Sequence, residues 1–276
     1  MSEQTQHLGG GNFYGAIRAR QESAGVIFTD LHHRCARKMP EHAHELPFFA
    51  LILDGSYAEH YGRQQNQFGP FTLSFRPAGI PHQDEVGPQG VRFFDMEIGP
   101  EWQQHMRDAG GSLTFPTDEV GGGELLWTAM KVFYETRQPI VEHDIYLDSL
   151  LAELMAGVAH LPTERATDGP NWLRRTLDKI HEQYCQKLTL DELSLEAGVH
   201  PVHLSRIFRK SKRVGIGDYI RRLRVKAACE RMLDPEASLA DISFDTGFAD
   251  QSHFTRTFAG LTGISPNRFR QLLAKA

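Results

Sequence analysis

The sequence predicts a two-domain α+β protein, a strand-rich half with flanking helices followed by an all-α half. Three observations carry that prediction. Residues 1–169 hold 12 Lys and Arg against 23 Asp and Glu, net −11, whereas residues 170–276 hold 18 against 12, net +6. The pattern changes along the chain from short β-type runs to helical periodicity. The second half also matches itself at an offset of 50 residues. A length of 276 residues gives room for about two domains of ~100–200 residues each. The stretch Leu161 to Pro170 is polar, with two prolines and a glycine, and reads as a linker. The expected division is therefore 1–161, a linker at 162–170, and 171–276.

Composition removes several classes. With 40% hydrophobic and 24% charged residues, the chain is not disordered, collagen-like or disulfide-rich. The longest apolar run, Phe48–Leu53, is six residues, against ~20 for a membrane span. The N-terminus shows no basic region followed by an apolar stretch. Cys35, Cys185 and Cys229 are odd in number and widely spaced. They suit free thiols and build no Cys-x-x-Cys metal site. The expectation is a cytoplasmic protein with no membrane partner. A basic half joined to an acidic one points to a polyanion as partner of the basic half.

In the first half, Gly25–Thr29, Phe48–Leu53, Ser56–Tyr61, Phe71–Phe75 and Val91–Ile98 are rich in Val, Ile, Phe and Tyr, and turn residues separate them. Short strands so closely spaced predict a sandwich or small barrel. Leu125–Tyr134 and Ile145–Leu161 then read as helices. In the second, Leu147, Leu150, Leu151, Leu154, Met155 and Val158 recur at three and four. That stripe is too wide for an exposed helix, so it packs on the barrel, on its neighbour or on a second subunit.

In the second half, His203-Leu-Ser-Arg-Ile-Phe208 aligns with His253-Phe-Thr-Arg-Thr-Phe258. Upstream, Glu192 to Gly198 aligns with Asp241 to Gly247 at an offset of 49, so one turn is a residue longer. Each copy opens on a capping-box pattern, Thr189-x-x-Glu192 and Ser238-x-x-Asp241. Each reaches a glycine, Gly198 or Gly247, suited to a left-handed turn. His200 before Pro201, and Asp250, then start a second helix. Short helix, glycine turn and second helix make a helix-turn-helix, here in duplicate. Leu204, Ile207 and Phe208 lie on one face and should be core, as should Phe254 and Phe258. The opposite faces carry Val202, Ser205, Arg206 and Arg209, then Gln251, Ser252, Thr255 and Arg256. Arg reads guanine bidentately, Gln reads adenine, and Ser or Thr serves base or phosphate.

Between the copies, Ile216–Leu233 reads as a helix of 18 residues, about 27 Å long, stopped by Asp234-Pro235. It suits two reading helices set on successive major-groove faces ~34 Å apart. Arg221, Arg222, Arg224, Lys226 and Arg231 lie on or near it as candidate phosphate contacts or solvated charges.

Residues from about 171 to 273 resemble the DNA-binding domain of AraC/XylS-type transcriptional regulators. The carrying motifs are Leu193-x-x-x-Ala197-Gly198-Val199, Leu204-Ser-Arg-Ile-Phe208, Ile242-x-x-x-x-Gly247-Phe248, Ser252-His-Phe-Thr-Arg-x-Phe258 and Gly263-Ile-Ser-Pro266-x-x-Phe269-Arg270. The resemblance implies seven helices. It implies base contacts at Val202, Ser205 and Arg206 in the first unit, and at Gln251, Ser252, His253, Thr255 and Arg256 in the second. One departure is Arg213, where the family usually has a glycine and the second copy has Gly263. It implies a different end to the first reading helix and a further phosphate contact. Val202 has no hydrogen-bonding side chain, so it reads a thymine methyl or little at all.

The first half resembles a cupin through His42-Ala-His44, Gly55 and Pro77-Ala-Gly79-Ile-Pro-His82. His42 and His44, two apart on a strand, share a face, and His82 converges from another strand. Metal cupins add a glutamate where Phe48 stands and an asparagine where Val86 stands. The expectation is therefore a metal-free, cofactor-free barrel whose candidate ligand residues are His42, His44, Phe48 and His82. A metal site on the three histidines is the weaker alternative. Phe48, Ala50 and Ile52 share strand parity with the histidines and should line the interior. Arg76 and Arg92 are candidate anchors for an anionic ligand. The resemblance implies a homodimeric, non-enzymatic regulator in which a small-molecule effector in a cupin-like sensor controls binding to a double-stranded DNA operator, with RNA polymerase as a further partner. The rivals are a metal-dependent cupin enzyme fused to a DNA-binding module, which Phe48 opposes, and a dimeric regulator without a ligand.

Overall fold

The computed structural model describes residues 5–62, 64–111, 117–118, 123–138, 144–159 and 170–274. The chain divides into two compact units, Met1–Leu161 and Pro162–Lys275. Residues 162–169 of the expected linker, and the expected end of the second helix at residues 160–161, lie outside the described residues.

Among the described residues, the first unit holds two sheets and three helices. Its strands are β1 (Gln6–Leu8), β2 (Ala16–Ser23), β3 (Val26–His33), β4 (Arg37–Lys38), β5 (His42–His44), β6 (Phe48–Tyr61), β7 (Gln64–Phe68), β8 (Leu73–Arg76), β9 (Gln83–Ile98) and β10 (Thr117–Asp118). The main sheet runs β10-β8-β6-β9-β3-β2, with β4 on β9 and β7 on β6. Its end strands β2 and β10 do not pair with each other among the described residues, so the ladder is open where a closed barrel was expected. The strand carrying His42 and His44 pairs instead with β1, in parallel, and meets the rest through a bridge between His42 and His82. The expected strands Phe48–Leu53 and Ser56–Tyr61 are one 14-residue strand. It stays continuous because bulges at Ile52/Asp54 and Gly55/Tyr57 absorb the irregular middle. The apolar core joins Leu31, Met39, Ile52, Tyr57, Phe68, Val86, Val91 and Phe93.

The helices of this unit are α1 (Pro100–Asp108), α2 (Glu124–Glu135) and α3 (Asp144–Ala159). Phe133 of α2 meets Phe94 edge-on at 5.1 Å, which seats the helix on the sheet. On α3, Leu147, Leu150, Leu151, Leu154, Met155 and Val158 are all buried within the single chain, with Thr128 of α2 donating to Glu153 at 2.7 Å. Of the three expected partners for the stripe, the neighbouring helix is the one found, and the stripe gives no support to a homodimer. Among the described residues, no helix is long and apolar enough to cross a membrane.

The second unit holds seven helices among the described residues: α4 (Asn171–Gln183), α5 (Leu190–Ala197), α6 (Pro201–Lys212), α7 (Ile216–Arg231), α8 (Leu239–Asp245), α9 (Gln251–Thr262) and α10 (Pro266–Ala274). The expected caps form. Thr189 and Glu192 close a full capping box, Ser238 accepts from the Asp241 amide, His200 from Val202 and Asp250 from His253. The core of the first copy gathers Leu173, Ile180, Leu193, Leu204, Phe208, Tyr219 and Ile220. In the second, Phe254 and Phe258 stack edge-on at 5.6 Å, and Phe269 joins Phe258 at 5.3 Å. Helix α7 has 16 residues, about 24 Å, two residues shorter than expected. It packs on α6, α8 and α9, so it is a shared core element as well as a spacer.

Candidate functional site

Two regions gather the sequence-predicted site residues, and each lies within one unit. On α6, Val202 is 69% exposed, Arg206 and Arg209 are exposed, and Ser205 is half-buried. On α9, Gln251, Ser252 and Arg256 are exposed, and Thr255 is half-buried. The opposite faces are sealed: Leu204, Phe208, Phe254 and Phe258 are each 0% exposed. Ile207, expected in the core, is half-buried at its edge. His253 differs from its neighbours. It is half-buried and packs edge-on against Phe248 at 5.4 Å, so its ring serves the turn as well as the outer face.

Arg213 takes the left-handed conformation, φ +60°, and caps α6 as Gly263, φ +81°, caps α9. The first reading helix therefore ends as the second does, contrary to the expectation of a different end. The side chain carries the left-handed strain, on the order of 1–2 kcal/mol. Around α7, three cations are held by the fold. Arg224 donates to the carbonyls of Tyr184 and Gln186 at 2.7 and 2.8 Å, Arg231 pairs with Asp245 at 2.6 Å, and Arg221 pairs with Asp218. These bonds compete with any phosphate contact.

The second region is a cavity in the first unit. His42, His44 and His82 are 2%, 3% and 5% exposed. Their rings stand 4.3 to 5.5 Å apart between centroids. Phe48 and Ala50 line it with them, as strand parity predicts. Ile52 does not, and packs in the core behind. The N-terminal segment closes one side: Phe13 lies 4.7 Å from His44 and Tyr14 4.9 Å from His42. Gly11 is fixed by donating its amide to Glu97 at 2.6 Å.

The lining is acidic rather than basic. Glu59, Asp84 and Asp95 contribute carboxylates. Arg76 lines the cavity too, but it is buried in an ion pair with Glu59, its Nε 2.7 Å from Oε1. Arg92 is bound to Asp30 at 3.0 and 2.7 Å, outside the lining. Neither arginine is placed as the anion anchor the sequence raised. Burial first, then the neighbouring imidazoles, pushes His44 down to about 2. Burial also lowers His42 and His82. Burial, then Glu59, pushes Asp84 up to about 7. At neutral pH the three rings are uncharged, which makes them acceptors and potential ligands. The three histidines form a group able to hold a metal ion, and Glu59, His82 and Asp84 form another.

Sequence reasoning missed Asp84, Glu59, Asp95, Phe13 and Tyr14 as lining residues. Asp84 was within reach of the parity argument, because it lies two residues after His82 on extended chain.

Comparison with known proteins bears on the second unit most directly. A family described as a helix-turn-helix domain matches residues 193–272. The chain is 31% identical over 111 residues to the bifunctional transcriptional activator/DNA repair enzyme AdaA of Bacillus subtilis, covering 40% of this chain and 53% of that protein. The chain thus spans about half the length of that relative. It is 30% identical over 100 residues to the probable transcription factor PqrA of Proteus vulgaris, covering 36% of this chain and 78% of that one. An alignment over 226 residues, 28% identical, covers 79% of this chain and 82% of the uncharacterized HTH-type transcriptional regulator YbfI of Bacillus subtilis. With the duplicated, capped helix pairs and these matches together, the chain belongs to the AraC-type family of helix-turn-helix transcriptional regulators.

Proposed function

We propose that the chain reads a double-stranded DNA operator with α6 and α9, each laid in one of two successive major-groove segments. Val202, Ser205, Arg206 and Arg209 face the first segment, and Gln251, Ser252, His253, Thr255 and Arg256 the second. The observation that carries this reading is the matched exposure of two helices in one basic unit, with polar faces outward over apolar faces sealed against α7. The half with net charge +6 suits a polyanion. Residues 1–161 act as a cupin-like sensing domain joined by the linker at 162–170 to the reading domain at 171–276. An effector in the histidine-lined cavity shifts operator occupancy or contact with RNA polymerase by binding one arrangement of the chain better than another.

The test is selection of a binding site from random duplexes, followed by titration of wild type, Arg206→Ala and Arg256→Ala. Each variant should lose ~1–3 kcal/mol of base discrimination at its own positions. Affinity should fall steeply with salt through counterion release. Unchanged base preference in both variants would overturn the assignment of the reading faces.

A further inference from the structure

The cavity sets electron-pair donors against each other. His42 donates Nδ1–H to the carbonyl of Pro40 at 3.0 Å, and His82 donates to that of Ile80 at 3.1 Å. A carbonyl only accepts, so Nδ1 carries the proton and Nε2 of each neutral ring offers a lone pair. Both Nε2 atoms face Oδ2 of Asp84, at 3.8 and 3.9 Å. His44 joins them, and its Nδ1 is buried without a hydrogen-bond partner, as is Oδ1 of Asp84. One nitrogen from each ring lies within 4.8 Å of the others. The three rings form one set of donors, and Glu59, His82 and Asp84 form another, the two sets sharing His82.

We propose that this cavity binds a divalent transition-metal ion through His42, His44 and His82, with Asp84 as the carboxylate ligand. The proposal deepens the sensing-cavity reading, on which its regulatory meaning rests, by naming the chemical class that enters. Three imidazoles and a carboxylate select zinc, iron, nickel or copper over magnesium or calcium. Donors held ~2.0–2.1 Å from a tetrahedral ion stand about 3.4 Å apart, so donors within 4.8 Å of one another each move inward by less than about 1 Å. The carbonyl bonds of His42 and His82 supply the outer support that orients ligating imidazoles. Arg76, the arginine in the lining, is already committed to Glu59. The sequence pattern pointed away from a metal because Phe48 stands where metal cupins carry a glutamate. Asp84 supplies the carboxylate from the other strand.

The experiment uses the full chain, stripped with a chelator, dialysed, and titrated with Zn²⁺ and with Co²⁺ as a spectroscopic probe. One tightly held ion per chain, visible cobalt absorption bands and a rise in melting temperature with metal are expected. His44→Ala should abolish stoichiometric binding. Asp84→Asn, which keeps the side-chain volume but removes the ligand's charge, should weaken binding and shift the cobalt spectrum. His105→Ala, on exposed α1, should bind as wild type. A wild-type chain that takes up no stoichiometric ion overturns the proposal without any variant having to fold. Binding unchanged in both His44→Ala and Asp84→Asn, each checked by circular dichroism, overturns it as well. Either failure leaves operator reading standing, because the Arg206 and Arg256 titrations test that separately.

Discussion

The two helix-turn-helix copies bury the same positions and diverge where they face outward. Leu204 and Phe208 correspond to Phe254 and Phe258, all fully buried. Ser205 and Arg206 correspond to Thr255 and Arg256, with the same exposure class in each pair. Outside that frame the copies part: Val202 against Ser252, Arg209 against Ala259, Arg213 against Gly263. The inner face fixes the shape, because each copy must bury its aromatic or aliphatic pair against α7. The outer face is mostly exposed and less constrained by packing, so one protein carries two readers of similar shape and different chemistry.

The comparison breaks or sharpens with four kinds of variant. The largest effect belongs to the shared core. Phe208→Ala and Phe258→Ala should each cost ~3–5 kcal/mol in denaturant unfolding. A cost in only one copy would mean the buried faces are not equivalent.

Next come the turn glycines. Gly247 and Gly198 are both left-handed, φ +83° and +68°, but a Cβ at Gly247 would run into the Cys185 carbonyl whereas one at Gly198 meets nothing. Gly247→Ala should therefore cost about 3 kcal/mol or more and Gly198→Ala about 1–2 kcal/mol, read as a difference in melting temperature. Equal costs would remove the asymmetry.

The exposed arginines follow. Arg206→Ala and Arg256→Ala should leave the unfolding free energy within about 0.5 kcal/mol of wild type while each loses ~1–3 kcal/mol of base discrimination. A large stability loss would make them structural rather than reading residues. The smallest effect is Arg213→Gly, which relieves left-handed strain and should gain at most about 1 kcal/mol. A loss of stability would mean the Arg213 side chain makes a contact worth more than the strain.

The second unit was largely legible in the sequence, and the first was not, for a physical reason. Helix caps, left-handed glycines and a duplicated apolar period are local signals, and they form where the spacing predicts, although the Ser238–Asp241 box closes on one side only. In the first unit the informative features are non-local. Strand β2 is exposed along most of its length, so it shows no alternation to find. Tyr57 and Glu59 line the cavity with Phe48 and Ala50, yet they have the opposite parity. The bulges at Ile52/Asp54 and Gly55/Tyr57 reset which side of β6 faces inward, and no local pattern announces them. The three histidines were found because their two-residue spacing and their motif sit on unbulged chain. The N-terminal segment that brings Phe13 and Tyr14 over them is placed by the pairing of β1 with β5, a long-range contact.

The central claim is that one chain reads two neighbouring turns of duplex with two matched helices. Guanine methylation interference on the selected operator, with wild type, Arg206→Ala and Arg256→Ala, tests it most directly. Each variant should erase interference at its own positions, the two sets lying about one helical turn, ~10–10.5 base pairs, apart. Both variants altering the same positions, or neither altering any, would contradict the account.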